Sequence, residues 1–231
     1  MATDTKDRIL EAAARLFAEH GYHATGVAGI LRAAGVKSGS LYHFFSSKED
    51  LLVAVMQRHL DLLRPQILDR AEAESVTEDP LEHVFSLLGI YRRSLLVSGC
   101  RLGCPVGSLA LEVGNNTPRA RALIERYFSV WVAQVRDWLN AAGPRLPEGL
   151  DRGAVARQIL AVVEGGIIQA RAAESLEPYD ACVAQLRSSF ELLLARRRYE
   201  QEEPRDTLMG EPSPTKRTGR EVGGQFEWRA W

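Results

Sequence analysis

Apolar residues recur every three or four positions along most of this chain, which is the spacing of an amphipathic α-helix. The pattern is interrupted by single glycines and by stretches rich in glycine and proline, and these interruptions predict short connections between helices. No stretch alternates between apolar and polar residues for long enough to predict a strand. We therefore expect an all-α protein.

The N-terminal region is predicted to hold two helices, a glycine turn and a short polar helix. The first helix carries an apolar face that includes Phe17 and stops at Gly21, and the second follows Thr25 and ends at Gly35. The short helix spans about residues 38–44. This order is typical of a helix-turn-helix domain that binds DNA.

The polar side chains of this short helix and its flanks are suited to contacts with nucleic acid. Those that can approach phosphates and base edges are Lys37, Ser38, Ser40, Tyr42, His43 and Lys48. The formal net charge of the whole chain is -1, so the overall charge does not indicate a nucleic-acid partner. No acidic residue lies between Glu19 and Glu49, however, and this local excess of positive charge favours DNA binding.

After Ser47 the pattern predicts a long fourth helix that bends or ends at Pro65, followed by further helices. We expect three regions: a helix-turn-helix domain over 1–46, a helical ligand-binding and dimerisation domain over 47–197, and a disordered tail over 198–231. The last two helices each present one apolar face, with Gly165, Gly166 and Phe190 near the expected seam. That arrangement favours a four-helix bundle formed by two protomers.

An aromatic stripe on the helix that follows Thr117 has two explanations, the protein core or the wall of an effector pocket. Under the second explanation, carboxylates beside apolar faces supply the hydrogen-bonding groups of the pocket. The predicted effector-binding residues are Leu88, Arg92, Leu109, Glu112, Phe128, Trp131, Val135, Trp138, Glu164 and Ile168. The expected ligand is a small hydrophobic or aromatic molecule.

Other chemistry has less support in the sequence. Cys100 and Cys104 are four residues apart and could form a thiol switch or half of a metal site, although the glycines and proline around them indicate a loop. The chain shows no nucleophile elbow, phosphate-binding glycine loop or metalloprotease motif, so we expect neither an enzyme nor a cofactor. It also shows no signal peptide and no apolar run long enough to span a membrane, which predicts a cytoplasmic protein.

The segment RILEAAARLFAEHGYHATGVAGILRAAGVKSGSLYHFFSSKEDLL resembles the N-terminal DNA-binding domain of the TetR family of bacterial repressors. The resemblance implies a homodimer that binds operator DNA and carries a helical effector domain. By position, it implies a phosphate contact from Thr25, a recognition surface around Tyr42, and a backbone phosphate contact from Lys48. The family commonly has a second hydroxyl residue where this chain has Gly26. The stretch GCRLGCPVGSLALEV is similar to a segment of multidrug- and flavonoid-responsive members.

Together these features predict a repressor that binds a near-palindromic double-stranded operator and is released from it by a small effector. Two alternatives stay open at this point. One is a redox or metal sensor that acts through Cys100 and Cys104, and the other is a DNA-binding regulator that has no effector.

Overall fold

The computed structural model describes residues 2–37, 39–113 and 117–202. Within these ranges every regular element is helical, which confirms the all-α prediction. The α-helices are α1 (Ala2–His20), α2 (Val27–Ala34), α3 (Ser40–Phe44), α4 (Lys48–Leu63), α5 (Asp69–Ala73), α6 (Pro80–Val97), α7 (Pro105–Glu112), α8 (Pro118–Ala141), α9 (Arg152–Ala173) and α10 (Glu177–Glu202). A π-helical turn, Arg64–Leu68, joins α4 to α5, and a 3₁₀ turn, Gly143–Arg145, follows α8.

Local signals in the sequence set several helix ends. Gly35 ends α2 in the left-handed conformation (φ 64°), which glycine adopts at little cost. Ser47 caps α4, because its hydroxyl oxygen accepts the Asp50 N–H at 3.0 Å. Pro65 lies in the π-helical turn that ends α4, which is the interruption that a proline inside a helix predicts.

The helix-turn-helix unit has a continuous apolar core. Phe17 of α1, Ile30 of α2 and Leu41 of α3 are almost fully buried, and Phe45 packs beneath them. Leu51 and Leu52 of α4 are also fully buried and extend this core into the second half of the molecule. The unit is therefore packed directly on α4 and is not separated from it by a linker.

In the larger region, α8 packs against α4, α6 and α9, and α10 packs mainly against α9. Phe190 of α10 is buried within the protomer, where its ring meets Phe85 of α6 edge to face at 5.9 Å. The sequence places Phe190 in the seam between protomers, and the structure corrects this assignment. A period of 3.6 shows that a helix has an apolar face but does not show which neighbour covers it.

The last helix also corrects a predicted boundary. The expected tail begins at 198, whereas α10 continues to Glu202. The additional turn is supported by the Arg196–Glu200 ion pair (2.8 Å) and by Arg197, which donates to the Pro144 carbonyl at 3.1 Å. Residues 203–231, the rest of the expected tail, lie outside the described residues.

Candidate DNA interface and effector cavity

The predicted recognition residues lie on or beside α3. Lys37 and His43 are exposed, and Tyr42 exposes 65% of its surface. The His43 ring rests edge to face against Phe44 at 4.7 Å, so its orientation is fixed by packing on a half-buried neighbour. Ser38 and the side chain of Ser40 lie outside the described part of the chain. The described groups form one polar surface, with aromatic and cationic side chains free to meet a duplex.

Thr25 does not occupy the position that the resemblance implies. Its side chain is buried, and its hydroxyl donates to the Gly21 carbonyl at 2.7 Å and lies 3.2 Å from the Leu16 carbonyl. The hydroxyl therefore closes the turn after α1 and does not point to solvent. The N-cap residue that precedes α2 is Gly26, which has extended backbone and no side-chain capping bond. Thus the first N–H groups of α2, not the Thr25 hydroxyl, are the donors available to a phosphate.

Lys48 at the start of α4 is held against the rest of the protein. Its ammonium lies 4.3 Å from the centre of the Tyr22 ring, which is a cation–π contact. Partial burial lowers the pKa of Lys48, and the nearby Glu112 carboxylate opposes that shift. Lys48 therefore links the DNA-binding unit to α7, in addition to any contact with phosphate.

A second link between the two regions is formed by His23 and Glu112. The His23 N–H donates to Glu112 Oε2 at 3.0 Å, and the His23 ring Nε2 donates to the Glu112 carbonyl at 3.1 Å. Gly21 makes this approach possible, because its φ is 83° and a Cβ there would lie 2.5 Å from Glu112 Oε1. Arg119 of α8 adds a third link through Asp50 of α4 at 2.7 Å. The loop after α1 is thus held by α7, and the start of α4 is held by α8.

A cavity of about 250 Å³ lies behind α4. Its wall is made by the C-terminal half of α4, the π-helical turn, α6, the start of α7, α8 and one residue of α9. The lining residues are His59, Leu62, Leu63, Gln66, Ile67, Ile90, Tyr91, Ser94, Leu95, Leu102, Gly103, Cys104, Pro105, Tyr127 and Ile167. We call this space the α4 cavity. Larger depressions exist but are more open; one of them is a surface groove between α8 and α9, rimmed by exposed Arg121 and Arg136.

Two buried tyrosines form the polar side of the α4 cavity. The Tyr91 hydroxyl accepts the Trp131 indole N–H at 3.1 Å, and Tyr127 lies nearby on the cavity wall. Burial is the main cause that raises the pKa of both phenols, so both stay neutral at physiological pH. This wall can offer hydrogen bonds to a ligand but carries no charge.

Comparisons with known proteins agree with the helix-turn-helix architecture. Residues 9–55 match the family described as bacterial regulatory proteins, tetR family, and residues 80–185 match the LmrA/YxaF-like transcriptional regulator C-terminal domain. The repressor KstR2 of Mycolicibacterium smegmatis is 31% identical over 213 residues, covering 74% of this chain and 98% of that protein. This chain belongs to the TetR family. The resemblance seen in the N-terminal sequence is confirmed, and the protein is a helix-turn-helix transcriptional regulator and not an enzyme.

Other TetR-family relatives match over nearly their whole length. The regulator LmrA of Bacillus subtilis is 28% identical over 187 residues, covering 79% of this chain and 96% of LmrA. A TetR regulatory protein from Rhodobacter sphaeroides superposes with a TM-score of 0.68 at 26% identity, covering 83% of this chain and 97% of that structure. A TetR-family regulator from Agrobacterium tumefaciens has a TM-score of 0.73 at 23% identity, with 84% and 99% covered. In the described part of this TetR-family chain, no helix is long and apolar enough to cross a membrane.

The structure distributes the predicted effector residues of this TetR-family protein over several sites, and none of them lines the α4 cavity. Five are core or near-core side chains: Leu88, Leu109, Trp131, Val135 and Trp138. Trp131 comes nearest to the cavity, through Tyr91, whereas the Trp138 indole N–H donates to Glu72 at 2.7 Å. Arg92 pairs with Asp180 of α10 at 2.7 Å on the surface.

The remaining predicted effector residues line other depressions. Phe128 lies in the open groove between α8 and α9. Glu112, Glu164 and Ile168 line a crevice between α1, α7 and α9. Burial raises the pKa of Glu164, which lies beside Cys104 and occupies the space that a side chain at Gly107 would need. The predicted effector residues are therefore not brought together at the α4 cavity, and most of the stripe on α8 packs in the protein core.

The residues that do line the cavity carried weaker signals in the sequence. His59 shares a helical face with Val55 and Leu63, and that position on an apolar stripe was the available sign of an inward-facing imidazole. Tyr91 is a single aromatic on an otherwise aliphatic face of α6, and Tyr127 lies one turn before Trp131 on α8. Their convergence depends on how α6 and α8 cross, which local sequence does not specify.

Proposed function

We propose that this TetR-family regulator is a homodimeric repressor whose affinity for a palindromic operator falls when a small, largely apolar effector occupies the α4 cavity. The observation that carries the proposal is the position of α4. Its first turn follows the recognition helix directly, and its last turn forms part of the cavity wall. The division into a DNA-binding domain over 1–46 and an effector and dimerisation domain over 47–197 belongs to the same proposal.

DNA binding is assigned to the surface of α3 and to the start of α2. Lys37, Ser38, Ser40, Tyr42 and His43 are the proposed contacts with base edges and phosphates. The N–H groups after Gly26 are the proposed phosphate donors at α2, with Lys48 beside them. Two such surfaces on a symmetric dimer read the halves of a palindrome about 34–36 Å apart, one helical turn of DNA.

The dimer face is assigned to the outer side of α9 and α10. A groove there is lined by Val162, Gly165, Cys182, Ser189 and neighbouring residues, and Leu192 exposes 70% of its surface on the same stripe of α10. Gly166 is used within the protomer, because a Cβ there would lie 3.1 Å from the Tyr179 ring. A Cβ at Gly165 would meet nothing within 4 Å. Gly165 is therefore free to let a partner helix approach closely.

Effector binding is proposed to act by differential affinity for two positions of α4. A ligand that enlarges the space around His59 and Ile67 displaces the C-terminal half of α4 and the π-helical turn. Arg119 holds the N-terminal half of α4 through Asp50, and the His23–Glu112 contact joins the DNA-binding unit to α7. A displacement of the C-terminal half therefore changes the orientation of the DNA-binding unit relative to the rest of the protomer. Operator affinity falls by the ratio of the effector's affinities for the two arrangements.

The proposal is tested with the full chain and an operator selected from random duplexes. Planar apolar compounds are screened for a change in tryptophan fluorescence, which Trp131 reports through Tyr91. We expect compounds that change the emission to weaken operator binding in proportion to their occupancy. Compounds that saturate the cavity without any loss of operator affinity would refute effector control and leave a regulator without an effector.

The geometry does not favour the thiol alternative. Cys100 and Cys104 are both buried, and Cys104 Sγ accepts the Gly107 N–H at the start of α7. Burial, and next the Glu164 carboxylate, raise the pKa of the Cys104 thiol far above the physiological range. Since the thiolate is the reactive form, Cys104 is expected to react slowly with oxidants. Among the described residues, no group of three or more His, Cys, Asp and Glu is placed to hold a metal ion.

A further inference from the structure

The wall of the α4 cavity contains no Lys, Arg, Asp or Glu. Its polar groups are the neutral phenols of Tyr91 and Tyr127, the Cys104 thiol, Ser94, Gln66 and the His59 imidazole. An ionised ligand would have to lose its hydration without meeting a countercharge, and that transfer is strongly unfavourable. The cavity therefore selects an uncharged ligand.

His59 is the residue of this wall that has a fully shielded side-chain nitrogen without a hydrogen-bond partner in the described part of the chain. Its Nε2 is fully shielded from solvent, and it has no hydrogen-bond partner among the described residues. The other buried side-chain atoms in that condition within the described chain are His83 Nδ1 and Arg152 Nε, and neither residue lines the cavity. Burial, and next the charge of Arg58, lower the pKa of His59, so the imidazole is neutral at physiological pH.

The Tyr91 hydroxyl already has a buried partner, because it accepts the Trp131 indole N–H at 3.1 Å, whereas His59 Nε2 has none within the described ranges. A neutral imidazole Nε2 either donates or accepts a hydrogen bond, depending on the tautomer. A hydroxyl group can pair with either tautomer, because it both donates and accepts. The cavity volume of about 250 Å³ lies below the 300–1,000 Å³ typical of sites for drug-sized ligands, which indicates a compact molecule.

We propose that His59 is the specificity-determining residue of the α4 cavity and binds the hydroxyl group of a compact, uncharged aromatic effector. The apolar body of the ligand packs on Leu62, Leu95 and Ile167, and its hydroxyl satisfies the buried Nε2. This inference rests on the proposed effector function. It goes further because it assigns the charge state of the ligand and the side chain that forms a hydrogen bond with its hydroxyl group.

The test uses three two-ring probes that differ in one substituent: naphthalene, 2-naphthol and 2-naphthoate. Their affinities for the full-length protein are measured by titration calorimetry. We expect 2-naphthol to bind about five- to tenfold more tightly than naphthalene, as one neutral hydrogen bond to a buried group allows. We expect 2-naphthoate, an anion at neutral pH, to bind more weakly than both. Comparable binding of 2-naphthoate and 2-naphthol would overturn the inference that the cavity selects an uncharged ligand.

Variants at His59 separate recognition from packing. In His59→Leu the preference for 2-naphthol over naphthalene should fall to about one or below, while naphthalene still binds. His59→Gln, whose amide reaches the position of Nε2, should restore a preference for the alcohol. The matched control is His83→Leu, which removes the other shielded imidazole and should leave the preference unchanged. A wild-type preference in His59→Leu would show that another group reads the hydroxyl.

Operator affinity is measured in parallel with probe binding. Failure of effector control can then be distinguished from failure of the proposed role of His59. A His59-dependent preference without any release of DNA would support the site and refute effector control. Release of DNA by naphthalene and 2-naphthol at equal concentrations, with equal affinities, would support effector control and refute the role of His59. Failure of all the probes to bind would overturn the inference for this class of ligand.

Discussion

The Thr25 hydroxyl provides a sharp test, because a phosphate contact and a structural role predict opposite results. The structure buries this side chain and directs the hydroxyl to the Gly21 carbonyl at 2.7 Å, with the Leu16 carbonyl 3.2 Å away. Thr25→Val keeps the shape and removes the donor. The substitution removes the hydroxyl partner of these part-buried carbonyl groups, which costs about 1–3 kcal/mol.

The expected loss can be read as a change in thermal stability. At about 2–4 °C for each kcal/mol in a chain of this size, a loss of about 2 kcal/mol lowers the melting temperature by roughly 4–8 °C. Thr25→Ser keeps the hydroxyl and loses one methyl group, which costs on the order of 0.8 kcal/mol, so its decrease should be smaller. Circular dichroism melts and urea titrations of both variants measure the difference.

Operator affinity supplies the second half of the test. A lost hydrogen bond to a charged phosphate is worth about 1.5–3 kcal/mol, or roughly ten- to a hundredfold in affinity for each contact. Because the hydroxyl points inward, we expect Thr25→Val to bind the operator within about threefold of the wild type well below its melting temperature. Unchanged thermal stability together with a tenfold or greater loss of operator affinity would show that the Thr25 hydroxyl contacts phosphate and does not point inward.

The remaining predictions concern the recognition surface, the dimer and the thiols. Lys37→Ala and Tyr42→Ala should weaken operator binding with unchanged helicity. Lys37→Ala should also reduce the slope of log affinity against log salt concentration by about one. Normal operator affinity in both variants would show that the DNA interface does not include α3. Leu192→Arg should shift the protein toward the monomer in sedimentation, because it places charge on the proposed dimer face, and a retained dimer would place the interface elsewhere. The double variant Cys100→Ser and Cys104→Ser should leave operator release insensitive to peroxide, as in the wild type; cysteine-dependent release of the wild type would restore the thiol-sensor reading.

Local sequence was sufficient for several helix ends and for the architecture of the N-terminal domain. The hydroxyl of Ser47 meets an N–H three residues away, and Gly35 adopts its left-handed conformation through bonds to the preceding turn. Such contacts form between residues that are already neighbours in the chain, so composition and spacing specify them. The same holds for the apolar spacing of α1 to α3, which predicts the helix-turn-helix core.

The residues of the proposed effector cavity could be identified only from the tertiary structure. Most of the α8 stripe that suggested a pocket is buried in the core, and Trp131 and Trp138 both donate hydrogen bonds to side chains of other helices. His59, which carried only a weak signal in the sequence, lines the α4 cavity. A cavity is the space left where several helices cross, and its wall is drawn from segments far apart in the chain.

The sequence by itself determined the helical class, the DNA-binding motif, the family and most of the points where helices stop. Each of these depends on residues within one or two turns of one another. Only the tertiary structure decided that Thr25 turns inward, that Phe190 meets Phe85 inside the protomer, and that His59 lines a cavity. The physical reason is that helical periodicity fixes the direction of a side chain on its own helix, whereas burial and pairing depend on which distant helix packs against that face.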